Sequence, residues 1–327
     1  MARTRNTGNL ATRFGIGEWY GKPFVKLTPQ ERRDLAETAL SHNRQTNMPC
    51  PFRDSDGTGV CSKKGGVCSL RLYETSDGIT ARVATGVDGD LRAVCPHRFK
   101  QNGTIYTTIG QNVLNTTSPR IVDEVRFLQR PREESPDSPA DIETPEGKTT
   151  ADDEIGREDV GNIDSVLVHP TDHPMRWCAL EIQAVYFSGK GMTSLFRSIK
   201  EYEGSAMPFP DAVRRPDYRS SGPKRLMPQL QIKVPTLRRW GKKMTVVVDA
   251  GFFRSLGKME SVNDLSNADI AWFVITYDES GPIATIKIDE PYKQTLEHAV
   301  EGLTGGLPVT LNEFEAKIVE KLQRLPK

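Results

Sequence analysis

Trp177-Cys178-Ala179-Leu180-Glu181-Ile182-Gln183-Ala184-Val185-Tyr186-Phe187 is the stretch whose reading decides the fold. Aromatic and aliphatic residues dominate it and neither Gly nor Pro interrupts it, which is the composition of a strand. Alternation then places Glu181 and Gln183 on one face. An acid and an amide on an otherwise apolar strand are costly to bury unless something binds them. Upstream, Asn162-Ile163-Asp164-Ser165-Val166-Leu167-Val168 reads as a second apolar strand with one carboxylate, Asp164. The connector His169-Pro170-Thr171-Asp172-His173-Pro174 is rich in turn formers, so the two strands are predicted to pair antiparallel with Asp164 facing Glu181. Two carboxylates converging from neighbouring strands suit a hard cation such as Mg²⁺. Such an ion polarises a phosphodiester oxygen and lowers the pKa of a bound water. Because an Asp and a Glu on a hairpin more often simply face water, the pattern needs support from elsewhere in the chain.

A chain of 327 residues, 36% apolar and with a formal net charge of +1, has the composition of a soluble globular protein of one large domain or two ordinary ones. No apolar run is long enough for a membrane span and residues 1–20 carry no signal-peptide pattern, so a cytoplasmic location is expected. The near-neutral total hides segregation. Residues 213–243 hold ten Lys or Arg against one acid, Asp217, whereas residues 131–160 hold eleven acids against three bases. A basic stretch of this kind is a normal footprint of phosphate binding.

Four of the five cysteines, Cys50, Cys61, Cys68 and Cys95, fall in a Gly-rich, polar window with little to build a core of its own. In a cytoplasmic chain this suggests a structural metal rather than disulfides. Four thiolates fit tetrahedral Zn²⁺ or a single iron ion, and the spacings do not choose between them.

Pro49-Cys50-Pro51-Phe52, Gly66-Val67-Cys68 and Val94-Cys95-Pro96-His97-Arg98, followed by Leu180-Glu181-Ile182-Gln183, resemble the NotI-type restriction endonuclease family in the same order. Ala271-Trp272-Phe273-Val274 and Glu313-Phe314-Glu315-Ala316-Lys317 are further echoes. The resemblance implies an α/β fold with a PD-(D/E)xK nuclease core, a mixed central sheet flanked by helices, and a small N-terminal Cys₄ region. It implies a homodimeric type II enzyme that uses Mg²⁺ to cut both strands of double-stranded DNA at a G·C-rich palindrome. A site centred on GGCC, such as CGGCCG or GCGGCCGC, is the expectation, and a cognate methyltransferase is the expected genetic partner. By position, Cys50, Cys61, Cys68 and Cys95 hold structural iron or zinc, and Asp164, Glu181 and Gln183 form the catalytic set, with Asp164 and Glu181 as the Mg²⁺ ligands. Gln183 stands where such nucleases usually carry Lys. The family's further acid upstream of the catalytic Asp has no clear counterpart; Glu154 and Glu158 are candidates, and Glu124 a weaker one.

The division expected from sequence is an arm and helix over 1–48, a Cys₄ region over 49–100 and a nuclease core over 101–327, with an acidic mobile loop at about 130–160. Thr28, Pro29 and Glu31 mark a helix start. Residues 105–109 read as β-rich. Residues 192–202 read as an amphipathic helix, and 226–240 as a basic helix interrupted at Pro228 and Pro235. Strands are expected at 244–249, 271–277 and 283–288, and a last helix at 311–325. Arg is the usual reader of guanine; Lys190, Arg225, Lys233, Arg238 and Arg239 are the candidate DNA contacts. Two other classes stay open at this stage: a non-enzymatic, metal-stabilised DNA-binding regulator, and a nuclease without sequence specificity.

Overall fold

The computed structural model describes residues 10–41, 48–53, 59–128, 161–305 and 309–324. The strands, in chain order, are β1 (Ala11–Trp19), β2 (Lys22–Pro23), β3 (Val67–Thr75), β4 (Arg82–Val83), β5 (Arg92–Ala93), β6 (Arg120–Arg126) and β7 (Asn162–Val168). They continue as β8 (Trp177–Ile182), β9 (Phe187–Gly189), β10 (Arg214–Pro216), β11 (Met244–Asp249), β12 (Ile270–Asp278), β13 (Thr285–Ile288) and β14 (Tyr292–Gln294). The principal helices are α1 (Pro29–Leu40), α2 (Thr104–Ile109), α3 (Met192–Glu201), α4 (Met227–Arg239), α5 (Ala250–Ser255), α6 (Leu296–Thr304) and α7 (Leu311–Gln323). Among the described residues no helix is long and apolar enough to cross a membrane.

The fold is mixed α/β. Its larger sheet runs β13-β12-β11-β8-β7-β6, with β14 also paired to β12. Strand β11 lies parallel to both β8 and β12, and the other pairs are antiparallel. Strict alternation explains why this sheet is covered on both faces. Val246, Val248, Ile270 and Trp272 point towards α4, α5 and α6. Val247, Ala271, Phe273 and Ile275 point the other way, onto Phe99, Ile105 and Ile109. Most of these side chains are fully buried, each worth about 1.5–3 kcal/mol for a large aliphatic or aromatic group.

A second, antiparallel sheet is ordered β2-β1-β3-β4, with β5 also on β3. The segment read from sequence as an arm thus contains a strand, β1, which places Ile16 and Trp19 in a core. Helix α1 begins where expected: Thr28 accepts from the Glu31 backbone N–H and Glu31 reaches back, a complete capping box. Helix α3 closes this core with Leu195, Phe196 and Ile199, and Phe196 stacks on Trp19 at 5.3 Å.

The two sheets are joined by Arg98, which is fully buried with Glu18 of β1. Its Nε donates to Glu18 Oε2 at 2.8 Å, one Nη to Gln101 Oε1 and the other to Ala284 O. The guanidinium lies between the rings of Phe52 and Tyr277, 4.5 and 4.7 Å from their centroids. Removing one partner of such a buried pair costs about 3–5 kcal/mol.

Three sequence expectations are corrected. Residues 104–109 form a helix, because Ile105 and Ile109, four apart, both enter the core. Helix α4 is continuous: Pro228 sits in the first turn, where its missing N–H costs nothing, and Pro235 is carried inside. The strand at 177–187 ends at Ile182. Beyond it the Val185 N–H donates to Ala93 O of β5, so the chain leaves the central sheet and crosses to the other.

Candidate active site

Strands β7 and β8 pair antiparallel with Ser165 opposite Leu180, so the next step of the register sets Asp164 opposite Glu181. The carboxylates meet here because the register is fixed by buried neighbours: Ile163, Leu167, Cys178 and Leu180 are at most 2% exposed. Asp164 Oδ2 accepts from the Ile182 N–H at 2.8 Å. Glu181 is 2% exposed and lies against α4, where Lys233 Nζ donates to its Oε1 at 2.6 Å. Burial pushes the Glu181 carboxyl up to about 8, the charge of Asp164 adds to that shift, and Lys233 opposes it. Two acids are thus adjacent, with one ammonium against them. Their oxygen donors suit Mg²⁺.

Asp164 and Gln183 open into a cleft of about 1380 Å³. Its walls come from both halves of the chain: Arg53, Lys63, Lys64 and His97 on one side, Tyr186, Lys190, Arg225 and Gln229 on the other. Gln183 is nearly buried, and its Nε2 donates to Ala184 O at 2.6 Å. Glu124 also lines the cleft, opposite Asp164 by the β6/β7 register, with a left-handed φ of 53°. Glu154 and Glu158, like the rest of the acidic stretch expected as a mobile loop, lie outside the described residues.

The expected DNA contacts divide. Lys190 and Arg225 line the cleft, and Arg225 lies 4.0 Å over the Tyr186 ring while donating to its hydroxyl. Lys233 is corrected: it is fully buried beneath the cleft and reaches neither solvent nor a duplex. Arg238 pairs with Asp269 at 2.8 Å and with Glu297, which neutralise its charge. Arg239 binds Thr236 and is not part of the cleft lining. Arg53, Lys64 and Lys100 escaped the sequence reading. Their only signal was proximity to the cysteines, whereas the charge run at 213–243 drew attention elsewhere.

Cys50, Cys61 and Cys68 share one small cluster with Phe52, and Cys95 acts electrostatically on Cys68 and Lys63. The loop that carries them needs glycine at Gly66, where φ is +66° and a Cβ would fall 2.1 Å from the Tyr20 ring. A hydrogen bond from Cys61 lowers the Cys50 thiol to about 6 and raises its own donor. In donor chemistry the set suits a thiophilic ion. In geometry, no group of three or more His, Cys, Asp or Glu side chains among the described residues is arranged to hold a metal ion.

The family profile described as restriction endonuclease NotI matches residues 34–288, more than half of the chain and inclusive of both the thiols and the carboxylate pair. No curated protein matches the chain.

The Glu181 environment has a consequence for stability against pH. Its carboxyl is raised from 4.5 to about 8 in the folded, metal-free protein, so between those values the native state holds a proton that the unfolded chain has released. This contribution is complete below the unfolded value and is lost as pH rises towards 8. Thermal unfolding of metal-free wild type should therefore fall with pH across this window relative to Glu181→Gln. Parallel curves for the two proteins would contradict the assignment.

Proposed function

Because the chain belongs to the NotI restriction endonuclease family, and is thus a site-specific deoxyribonuclease that binds double-stranded DNA, we propose that the β7/β8 pair is its catalytic centre. The observation that carries this reading is the convergence of Asp164, which lines the basic cleft, with the buried Glu181. The sheet order and the strand-borne acids support a PD-(D/E)xK core. Asp164 and Glu181 would hold Mg²⁺, which when bound polarises the scissile phosphate and acidifies a water. Gln183 cannot act as a base near neutral pH; with its Nε2 committed to Ala184 O, it has its amide oxygen to orient the attacking water. Lys190, Arg225, Arg53 and Lys64 line the cleft and are proposed to meet phosphates, with Arg225 the candidate reader of guanine. Glu124, opposite Asp164 by the β6/β7 register, joins Glu154 and Glu158 as a candidate for the further acid. The recognition site follows the family resemblance: a palindrome centred on GGCC, CGGCCG or GCGGCCGC, protected in the host cytoplasm by a cognate methyltransferase. Purified protein should cut G·C-rich plasmid DNA into discrete fragments only with Mg²⁺, and Glu181→Ala should lose at least about a hundredfold in cleavage while still binding DNA. Diffuse products, or full activity in the variant, would refute the reading.

The four thiols are proposed to hold one structural iron or zinc ion that stabilises the wall of the cleft carrying Arg53 and Lys64, a division of labour in which residues 49–100 position and residues 101–327 cut. The support is the cluster shared by Cys50, Cys61 and Cys68, with Cys95 near enough to act on Cys68. Elemental analysis of wild type should find about one such ion per chain, lost in Cys50→Ser. A metal-free, fully stable wild type would exclude it.

A palindrome calls for two copies related by a two-fold axis. Helix α7 supports this: Leu311, Phe314, Ile318 and Leu322 form an apolar seam that nothing in the described chain covers, with Phe314 55% exposed. Its first half carries Glu313 and Glu315 and its second half Lys317, Glu320 and Lys321, with Glu320 paired to Arg324 at the C-cap, so two copies laid antiparallel set the acidic first half against Lys317 and Lys321. Sedimentation should give a dimer for wild type and a monomer for Ile318→Glu; a wild-type monomer on DNA would overturn the pairing.

A further inference from the structure

We propose that Lys233, on α4, is the positioning residue for Glu181, supplying from a helix the ammonium that the active-site strand does not carry. The inference rests on the reading of Glu181 as part of the catalytic centre.

Two positions after Glu181, just past the end of β8, the chain offers Gln183, a neutral side chain turned to Ala184 O. A nearly buried carboxylate beside a second acid still requires a cationic partner. The fold provides it from 52 residues further along the chain. Lys233 is 0% exposed, held by a helix whose Leu230, Val234 and Leu237 are locked into the main core. An ammonium has three N–H donors and no acceptor. Here one goes to Glu181 Oε1, one to the backbone carbonyl of Asn162, and one to Gln229 Oε1. All three are used within the protein, so Lys233 is neither a phosphate contact nor a water-activating group.

What those three bonds do is geometric. Asn162 begins β7, two residues before Asp164; Glu181 lies on β8; Gln229 belongs to α4 and lines the cleft. One buried cation therefore fixes the strand of the first acid, the side chain of the second and a residue of the cleft wall relative to one another. Preorganisation of that kind acts on turnover rather than on DNA affinity.

The experiment compares Lys233→Met, which keeps most of the packing and removes the charge, with Lys233→Arg, which keeps a charge. Turnover on plasmid DNA in Mg²⁺ should fall about 10–100-fold in Lys233→Met, the range seen when a partner of a metal-binding side chain is removed. KM for DNA and DNA affinity in metal-free buffer should stay at wild-type values, and Lys233→Arg should recover part of the loss. Metal-free thermal unfolding gives a second readout: Lys233→Met and Glu181→Gln should be non-additive, the double variant being more stable than their summed effects imply. Weakened metal-free DNA binding would identify Lys233 as a DNA contact instead. Wild-type turnover in Lys233→Met, or additive stabilities, would overturn the inference. If Lys233→Met does not fold, Lys233→Gln carries the same comparison. Should Glu181→Ala remain active, the failure lies with the catalytic assignment; an inactive Glu181→Ala with additive stabilities sinks the role of Lys233 alone.

Discussion

One guanidinium holds the working parts of this protein in register. Arg98 is buried with Glu18, reaches Ala284 and Gln101, and is clamped by Phe52 and Tyr277. These partners come from the first strand, the cysteine-bearing segment and the end of the central sheet. A buried ion pair is stabilising only when its geometry is complete and its remaining hydrogen-bonding capacity is met. Its value here is specificity of assembly: one guanidinium bonds acceptors from β1, from Gln101 and from Ala284, although Glu18 Oε1 is buried without a partner among the described residues. Arg71 reinforces the joint with a two-pronged bond to Glu279 at 2.7 and 2.9 Å. The cleft, lined by Val67 and Leu70 of one sheet and by Asp123, Asp164 and Ile182 of the other, depends on that joint.

The antiparallel hairpin with its two acids was legible in the sequence, because strand alternation and a Pro-rich turn depend only on local chemistry. So were the capping box at Thr28 and the buried strand at 244–249. Residues 104–109 misled the reading: β-branched composition suggested a strand, while the spacing of Ile105 and Ile109 carried the helical signal that tertiary packing obeyed. The two prolines of α4 read as breaks in the sequence, yet one lies in the first turn and the other is tolerated within a helix held down by its apolar face. Propensity is a weak prior wherever a core decides.

The site was half visible for a different reason. Asp164, Glu181 and Gln183 sit close together in sequence, so pattern alone gathers them. Lys233 was noticed as a positive charge and assigned to DNA. Nothing local says that it points inward, since its burial follows from the packing of α4 against the sheet. The thiols show the converse. Their clustering in sequence suggests a metal and three of them share a cluster in space, yet among the described residues no group of three or more ligating side chains is arranged to hold one.

The cleft has two kinds of owner. Its floor belongs to strands whose register is dictated by fully buried neighbours, so a change there disturbs the whole sheet. Its rim is built from short loops and turns around Arg53, Lys64 and Lys190, whose side chains face mainly solvent. A lineage can thus rework the rim repeatedly while the floor stays frozen, and divergence among such proteins should be read as drift in what is gripped, set against constancy in what is done to it.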